Sequence, residues 1–183
     1  MRFKNIYTDE EVEFSSLNIN SKILSAQNRD RYYWTNIEVD ETPQDKNIAL
    51  LDILEDNPQV TLRPEFDVAI ADTVLPYVSK NYAKQWQKVW ASDKWLYPLE
   101  CTSGFQDHKV GLLKAQTLRA TNKMTYILDK NKIYRNITVT EAERLQTVPD
   151  GYTDVVGASL NQRYKAIGNG WTIDVICHLL KNI

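Results

Sequence analysis

Three helix starts fall between Thr138 and the C-terminus, and each helix they begin is short. Thr138 and Glu141 have the spacing at which a threonine and a glutamate cap each other's backbone N–H groups. Ala142, Leu145 and Val148 follow on one face. Pro149-Asp150-Gly151 stops that helix. Ser159 is placed to cap a second helix through Ile167. Thr172 is placed to cap a third through Leu180, with Ile173, Ile176 and Leu180 sharing a face. Gly168 and Gly170 flank Asn169 between the last two, and Gly168 suits a left-handed helix stop.

Upstream, "SLNINSKIL" and "RYYWTNIEV" read as two short strands separated by the polar "SAQNRD". "TPQDKNIALLDILEDNP" predicts a helix, with Thr42 as N-cap, Pro43 first, Ile48, Leu51 and Leu54 on one face, and Asn57-Pro58 as the stop. "YVSKNYAKQWQKVW" is compatible with a helix carrying Tyr82, Trp86 and Trp90 at i, i+4, i+8. That stripe suits core packing or a base-stacking platform. From Thr102 to Lys132 the pattern is strand and turn. At 183 residues the chain is one domain or two small ones. No apolar run reaches the ~18 residues of a membrane span, and the N-terminus is too polar for a signal peptide. Cys101 and Cys177 lack metal-site spacing and point to a reduced, cytoplasmic protein.

The net charge of -2 argues against a general nucleic-acid coat, but the charge is unevenly spread. Residues 1–60 hold 6 basic and 12 acidic side chains, residues 61–135 hold 12 and 7, and residues 136–183 hold 4 and 5. A basic middle third fits a phosphate-contacting face, and equally a solvated face with no partner.

The order of four stretches carries more. Gln27, Arg29 and Arg31 in "SAQNRDRYYW", then "QTLRAT", then Arg135 with "ITVTEAERLQTVPD", then "GNGWTIDVI" resemble the C-terminal half of the DNA (cytosine-5)-methyltransferases, motifs VIII, IX and X in sequence. The "RYYW" aromatics and the Trp of "GNGWT" resemble the animal de novo branch and phage relatives more than the simplest restriction-system enzymes. The resemblance covers residues 18–38 and 115–180 firmly and 39–114 loosely, where such enzymes carry a variable target-recognition region. It implies an α/β fold: the C-terminal portion of a Rossmann-like S-adenosylmethionine-dependent methyltransferase domain, its sheet incomplete, with an inserted small α+β target-recognition domain. Residues 1–40 would close the catalytic domain, 41–134 would form the recognition region, and 135–183 would return to the catalytic domain.

Such enzymes flip a cytosine out of double-stranded DNA, attack its C6 with a cysteine thiolate and methylate its C5. By resemblance, Arg31 holds the cytosine O2 and Arg29 orients the pocket. An arginine is a fixed, always charged donor fork suited to that oxygen. Gln27 would brace the DNA backbone or the loop. Gln106, His108 and Lys109 would read bases in the loop before Thr117, and Arg119 would contact DNA nearby. By resemblance Thr117 would support DNA contact, and it is equally compatible with an ordinary strand hydroxyl. Thr138, Glu141 and Arg144 would organise the helix supporting the recognition region. Asn169, Gly170 and Trp171 would close one side of the S-adenosylmethionine pocket.

Three parts of that family's machinery are not found in this sequence: the Pro-Cys-Gln nucleophile, the Glu-Asn-Val carboxylate and the glycine-rich cofactor loop. Cys177, within an apolar helix, is expected to be buried and inert. The expectation is therefore no methyl transfer by this polypeptide alone, with an N-terminal methyltransferase half as partner. The other reading is a non-catalytic DNA-binding or regulatory partner of an intact methyltransferase.

Overall fold

A hairpin of β1 (Arg2–Lys4) and β2 (Glu11–Glu13) precedes β3 (Ser15–Asn20), a 3₁₀ turn at Ser21–Ile23, β4 (Gln27–Asn28) and β5 (Asp30–Thr35). The computed structural model describes residues 2–39, 41–58, 99–102, 110–111, 114–120, 125–128 and 134–183. The two strands read from the sequence are β3 and β5, paired antiparallel with Leu17 opposite Tyr33 and Ile19 opposite Arg31. Because side chains alternate along a strand, Ile19, Leu17 and Tyr33 share a face that packs with Leu24, Val175 and Leu179. Tyr32 and Trp34 fall on the other face, stacked at 6.4 Å between centroids and 65% and 63% exposed.

The helix predicted over 42–57 is not formed; the segment has only a 3₁₀ turn at Leu50–Ile53. Asn47 has a φ of 55°, in the left-handed region, and an α-helix cannot pass through it. Local bonds replace the helical ladder: Asn47 N donates to Asp45 Oδ1 and Ala49 N to Asp52 Oδ2, both at 2.7 Å. Leu50 and Ile53 are buried instead, while Leu51 of the expected face is exposed and Ile48 and Leu54 are only partly buried, so the expected apolar face is corrected along with the helix.

A clasp joins this region to the segment after residue 113. Strand β4 pairs in parallel with Ala115–Gln116, and Ala115 N donates to Ala26 O at 2.7 Å. Lys114 Nζ donates to the carbonyls of Lys22, Ser25 and Ile48. Burial lowers its pKa, with nearby Asp45 and Asp52 acting the other way. Thr117 Oγ1 donates to Asn28 O at 2.9 Å.

In chain order the remaining strands are β6 (Leu99–Thr102), β7 (Val110–Gly111), β8 (Ala115–Gln116), β9 (Thr125–Leu128) and β10 (Tyr134–Asn136). All but β8 form an antiparallel sheet in the order β10-β9-β6-β7. β7, β8 and β9 lie in the strand-and-turn stretch expected between Thr102 and Lys132, and β6 and β10 flank it. The stripe of Tyr82, Trp86 and Trp90 lies outside the described residues.

Three short helices close the chain as their caps foretold: α1 (Val139–Leu145), α2 (Leu160–Asn169) and α3 (Ile173–Leu179). Thr138 and Glu141 cap each other, as do Ser159 and Gln162. Ala142 and Leu145 join Leu50, Ile53, Ala115, Leu118, Ile127, Ile137 and Ile167 in the main core. The start of α3 differs in detail. Thr172 makes no side-chain cap; its hydroxyl lies 2.9 Å from both Ser21 Oγ and Gln146 Oε1. Asp174 N donates instead to Thr147 Oγ1. The buried face of α3 is Val175 and Leu179 with Ile176 packed partly buried beside them, while Ile173, Leu180 and Cys177 are exposed, so the expected apolar face is corrected except at Ile176 and the expected buried cysteine is corrected.

Gly168 is also corrected. It is not left-handed; α2 runs through it and ends at Gly170, φ −70° and ψ 174°. Glycine is required there by a close approach. A Cβ would stand 2.5 Å from Arg119 C and O and 2.7 Å from Ala120 N. Among the described residues no helix is long and apolar enough to cross a membrane.

Candidate functional site

The turn between β4 and β5 delivers Arg29 into the interior, 7% exposed, where Nη2 donates to Gly170 O at 3.0 Å. Its Nη1 is buried with no hydrogen-bond partner among the described residues. Such a donor is costly to leave unmade unless something supplies an acceptor. Burial, with the adjacent Arg31 charge adding to it, lowers the Arg29 pKa from the ordinary guanidinium value. Arg31 is exposed, and its Nη1 donates to Asp30 O at 2.6 Å. Burial raises the Tyr33 pKa, against the opposing pull of both arginines.

Arg29 and Arg31 line one cavity of about 420 Å³ with Tyr32, Tyr33 and Trp34 of β5, with Asn169 at the end of α2 and with Trp171 just after it. Residues separated by 140 positions in the sequence, singled out there for the base and for the cofactor, thus share one wall. Gly170 joins them through its carbonyl.

Gln27 sits elsewhere. It is fully buried, accepts from Leu118 N at 2.8 Å and donates to Leu145 O and Gln146 Oε1, each at 3.2 Å. It braces the loop, and no part of it is open to a DNA backbone. Thr117 is half-buried and bonded to Asn28 O, while Arg119 is exposed. Gln106, His108 and Lys109 lie outside the described residues.

Helix α1 is held by ion pairs. Arg135 makes a two-pronged pair with Glu141, at 2.8 Å and 2.7 Å, with both side chains almost wholly removed from solvent. Glu141 also accepts from Glu55 N and Thr138 N. Arg144 pairs with Asp150 and donates to Ile53 O. Tyr164 donates to Ile137 O, and burial pushes its pKa up to about 12.

Two residues here went unread in the sequence. Glu143 is fully buried and gathers Gly151 N, Thr153 N, the Thr153 hydroxyl and Arg163. Burial by itself raises its pKa, but those hydrogen bonds outweigh it and hold the carboxyl below its ordinary value. Gln146 is 2% exposed and bonds Ile167 O and Gly170 O. The Pro-Asp-Gly turn after α1, with its free backbone N–H groups, was a usable signal for Glu143. Nothing in the sequence pattern marks Gln146.

The model of the C-5 cytosine-specific DNA methylase family matches residues 18–183. Among solved structures, a methyltransferase of Entamoeba histolytica, EhMeth, is similar with a TM-score of 0.52 at 18% identity. The match covers 93% of this chain and 52% of that one, so the chain spans about half the length of that relative. At that identity the likeness speaks to the fold, a mixed α/β arrangement with small sheets.

Proposed function

The chain belongs to the C-5 cytosine-specific DNA methylase family, and from that premise we propose that it forms the C-terminal part of a DNA (cytosine-5)-methyltransferase. Residues 1–40 and 135–183 complete the catalytic domain, and 41–134 contain the recognition region for double-stranded DNA. The observation that carries this reading is the single cavity joining Arg29 and Arg31 to Asn169 and Trp171.

In this reading Arg31, exposed at the cavity wall, donates to the O2 of a flipped cytosine. Arg29 spends Nη2 on Gly170 O, and its Nη1, partnerless among the described residues, calls for an acceptor brought by a ligand or by another part of the enzyme. Asn169 and Trp171, both exposed on the same cavity, fit one side of an S-adenosylmethionine site. When bound, that cofactor supplies the electrophilic methyl group. The thiolate that attacks C6 and the carboxylate that engages N3 come from a segment carrying Pro-Cys-Gln and Glu-Asn-Val, which these residues do not contain. Tyr32, Trp34 and Trp171 leave apolar surface open for that segment to cover.

A methylation assay tests the reading. The chain alone, and then mixed with a polypeptide bearing Pro-Cys-Gln and Glu-Asn-Val, is given cytosine-containing duplex and labelled S-adenosylmethionine. Activity only in the mixture is expected. Activity of the chain alone overturns the division of labour, and stimulation only of an already complete enzyme favours a regulatory partner. Within a working mixture, Arg31→Ala should abolish turnover; a near-normal rate would remove Arg31 from the cytosine pocket.

A further inference from the structure

Two parts of the site meet at one carbonyl. Gly170 O accepts from Arg29 Nη2 at 3.0 Å and from Gln146 Nε2 at 3.3 Å. The buried amide of Gln146 is fully used. Nε2 also donates to Ile167 O at 2.8 Å, and Oε1 lies 3.2 Å from Gln27 Nε2 and 2.9 Å from Thr172 Oγ1. Its orientation is forced, because a flipped amide would set Oε1 against two carbonyls. Gln27 carries the link onward through Oε1 to Leu118 N at 2.8 Å. A continuous buried path therefore runs from the segment after β8, through two glutamine amides, to Gly170 and Arg29. The same segment touches the loop a second way, where the Arg119–Ala120 backbone lies against Gly168.

We propose that Gln146 and Gln27 are positioning residues that make the placement of residues 115–120 and of the Asn169–Trp171 loop interdependent. A shift of either end would strand polar atoms that have no access to water, so the two ends move together or not at all. The consequence is that the Arg29 guanidinium, anchored on Gly170 O, takes its position from a strand that leads out of the clasp. The importance of this link for methyl transfer rests on the function proposed above; the link itself does not.

Hydrogen exchange on the chain alone tests the link without DNA or cofactor, so failure of the functional reading leaves the test intact. Gln27 has no hydrogen bond to residues 167–173 among those described, yet Gln27→Met should speed exchange of the Gly170 and Ile173 amides about tenfold. The Arg163 amide, early in α2 and bonded to Ser159 O, should be unchanged. Gln146→Met should have the same effect, and the double variant should exceed neither single one. The Arg29 side-chain nitrogen resonances should shift in both single variants. Acceleration by Gln27→Met confined to Leu118 and its neighbours, or effects that multiply in the double variant, would overturn the proposal. Should Gln27→Met not fold, Gln27→Asn reads the same link, since it withdraws the amide by one methylene while keeping a polar group. Unchanged exchange at Gly170 in that variant would equally refute it.

Discussion

Replacing Gly168 with alanine sets two effects of opposite sign against each other. Gly168 lies within α2 at ordinary helical dihedrals, so alanine's better helix propensity favours the change by about 1 kcal/mol. Against it, the new Cβ would stand 2.5 Å from Arg119 C and O. Carbon contacts belong near ~3.5 Å, so one backbone must retreat by about 1 Å. The obstacle is main chain, and it is tied down by Leu118 N on Gln27 and Thr117 Oγ1 on Asn28 O. Overpacking of this kind costs about 1–3 kcal/mol, and loosening either bond adds about 1 kcal/mol. The expected net loss is about 2 kcal/mol. Gly170→Ala is the control: its nearest neighbour is 3.2 Å away and its φ of −70° suits any residue, so a loss under about 1 kcal/mol is expected. Urea unfolding followed by far-UV circular dichroism, with equal m-values, reads both. A Gly168→Ala protein as stable as the wild type would show that helix propensity wins, and would remove the close approach as the reason for glycine.

Three further outcomes follow from the charges around α1 and α3. Glu141→Gln takes from Arg135 the carboxylate that neutralises it and turns an amide NH2 donor towards donors; a loss of about 3–5 kcal/mol is expected in the same urea assay. A loss below about 1 kcal/mol would contradict a dry pair. Glu143, whose folded pKa lies below its ordinary 4.5, contributes stability that is complete above that value and is lost as pH falls through the folded pKa. The gap in melting temperature between wild type and Glu143→Gln should therefore close on acidification, and a gap constant with pH would refute the assignment. Lys46→Ala breaks the 2.6 Å pair with Asp174, but that lysine is half exposed, so thermal melts should register at most about 1 kcal/mol.

What the sequence made legible here was whatever one local rule decides. Thr138 with Glu141 and Ser159 with Gln162 are caps set by residues three apart, and both are formed. The strands β3 and β5 followed from their own composition. Two of the failures share a cause: a nonlocal partner overruled the local cue. Thr172 looked like a cap, but Ser21 and Gln146 take its hydroxyl. Gly168 looked like a helix stop, but the passing backbone of Arg119 is what excludes a side chain. At 42–57 the apolar spacing was helical, yet Asn47 and two aspartates redirected the backbone. The arginine pair and the Asn169–Trp171 loop were each picked out by resemblance. Their shared cavity could not be read, because it depends on how α3 lies on the β3–β5 sheet. Gln146 was invisible for a simpler reason: a polar residue at the end of an amphipathic helix is normally taken for surface.

The clasp at Lys114–Leu118 also bears on chain length. It fastens the downstream end of the intervening sequence to a few upstream residues, Lys22 to Asn28 and Ile48. Closing a loop on a fixed base grows dearer only slowly with length, by about 0.6 kcal/mol for each doubling. A change of chain length between Ile48 and Lys114 therefore costs the clasp little in closure entropy. Arg29 and the end of α2 are held by bonds of their own, Arg29 Nη2 and Gln146 Nε2 on Gly170 O, so the clasp and the cavity are fastened separately.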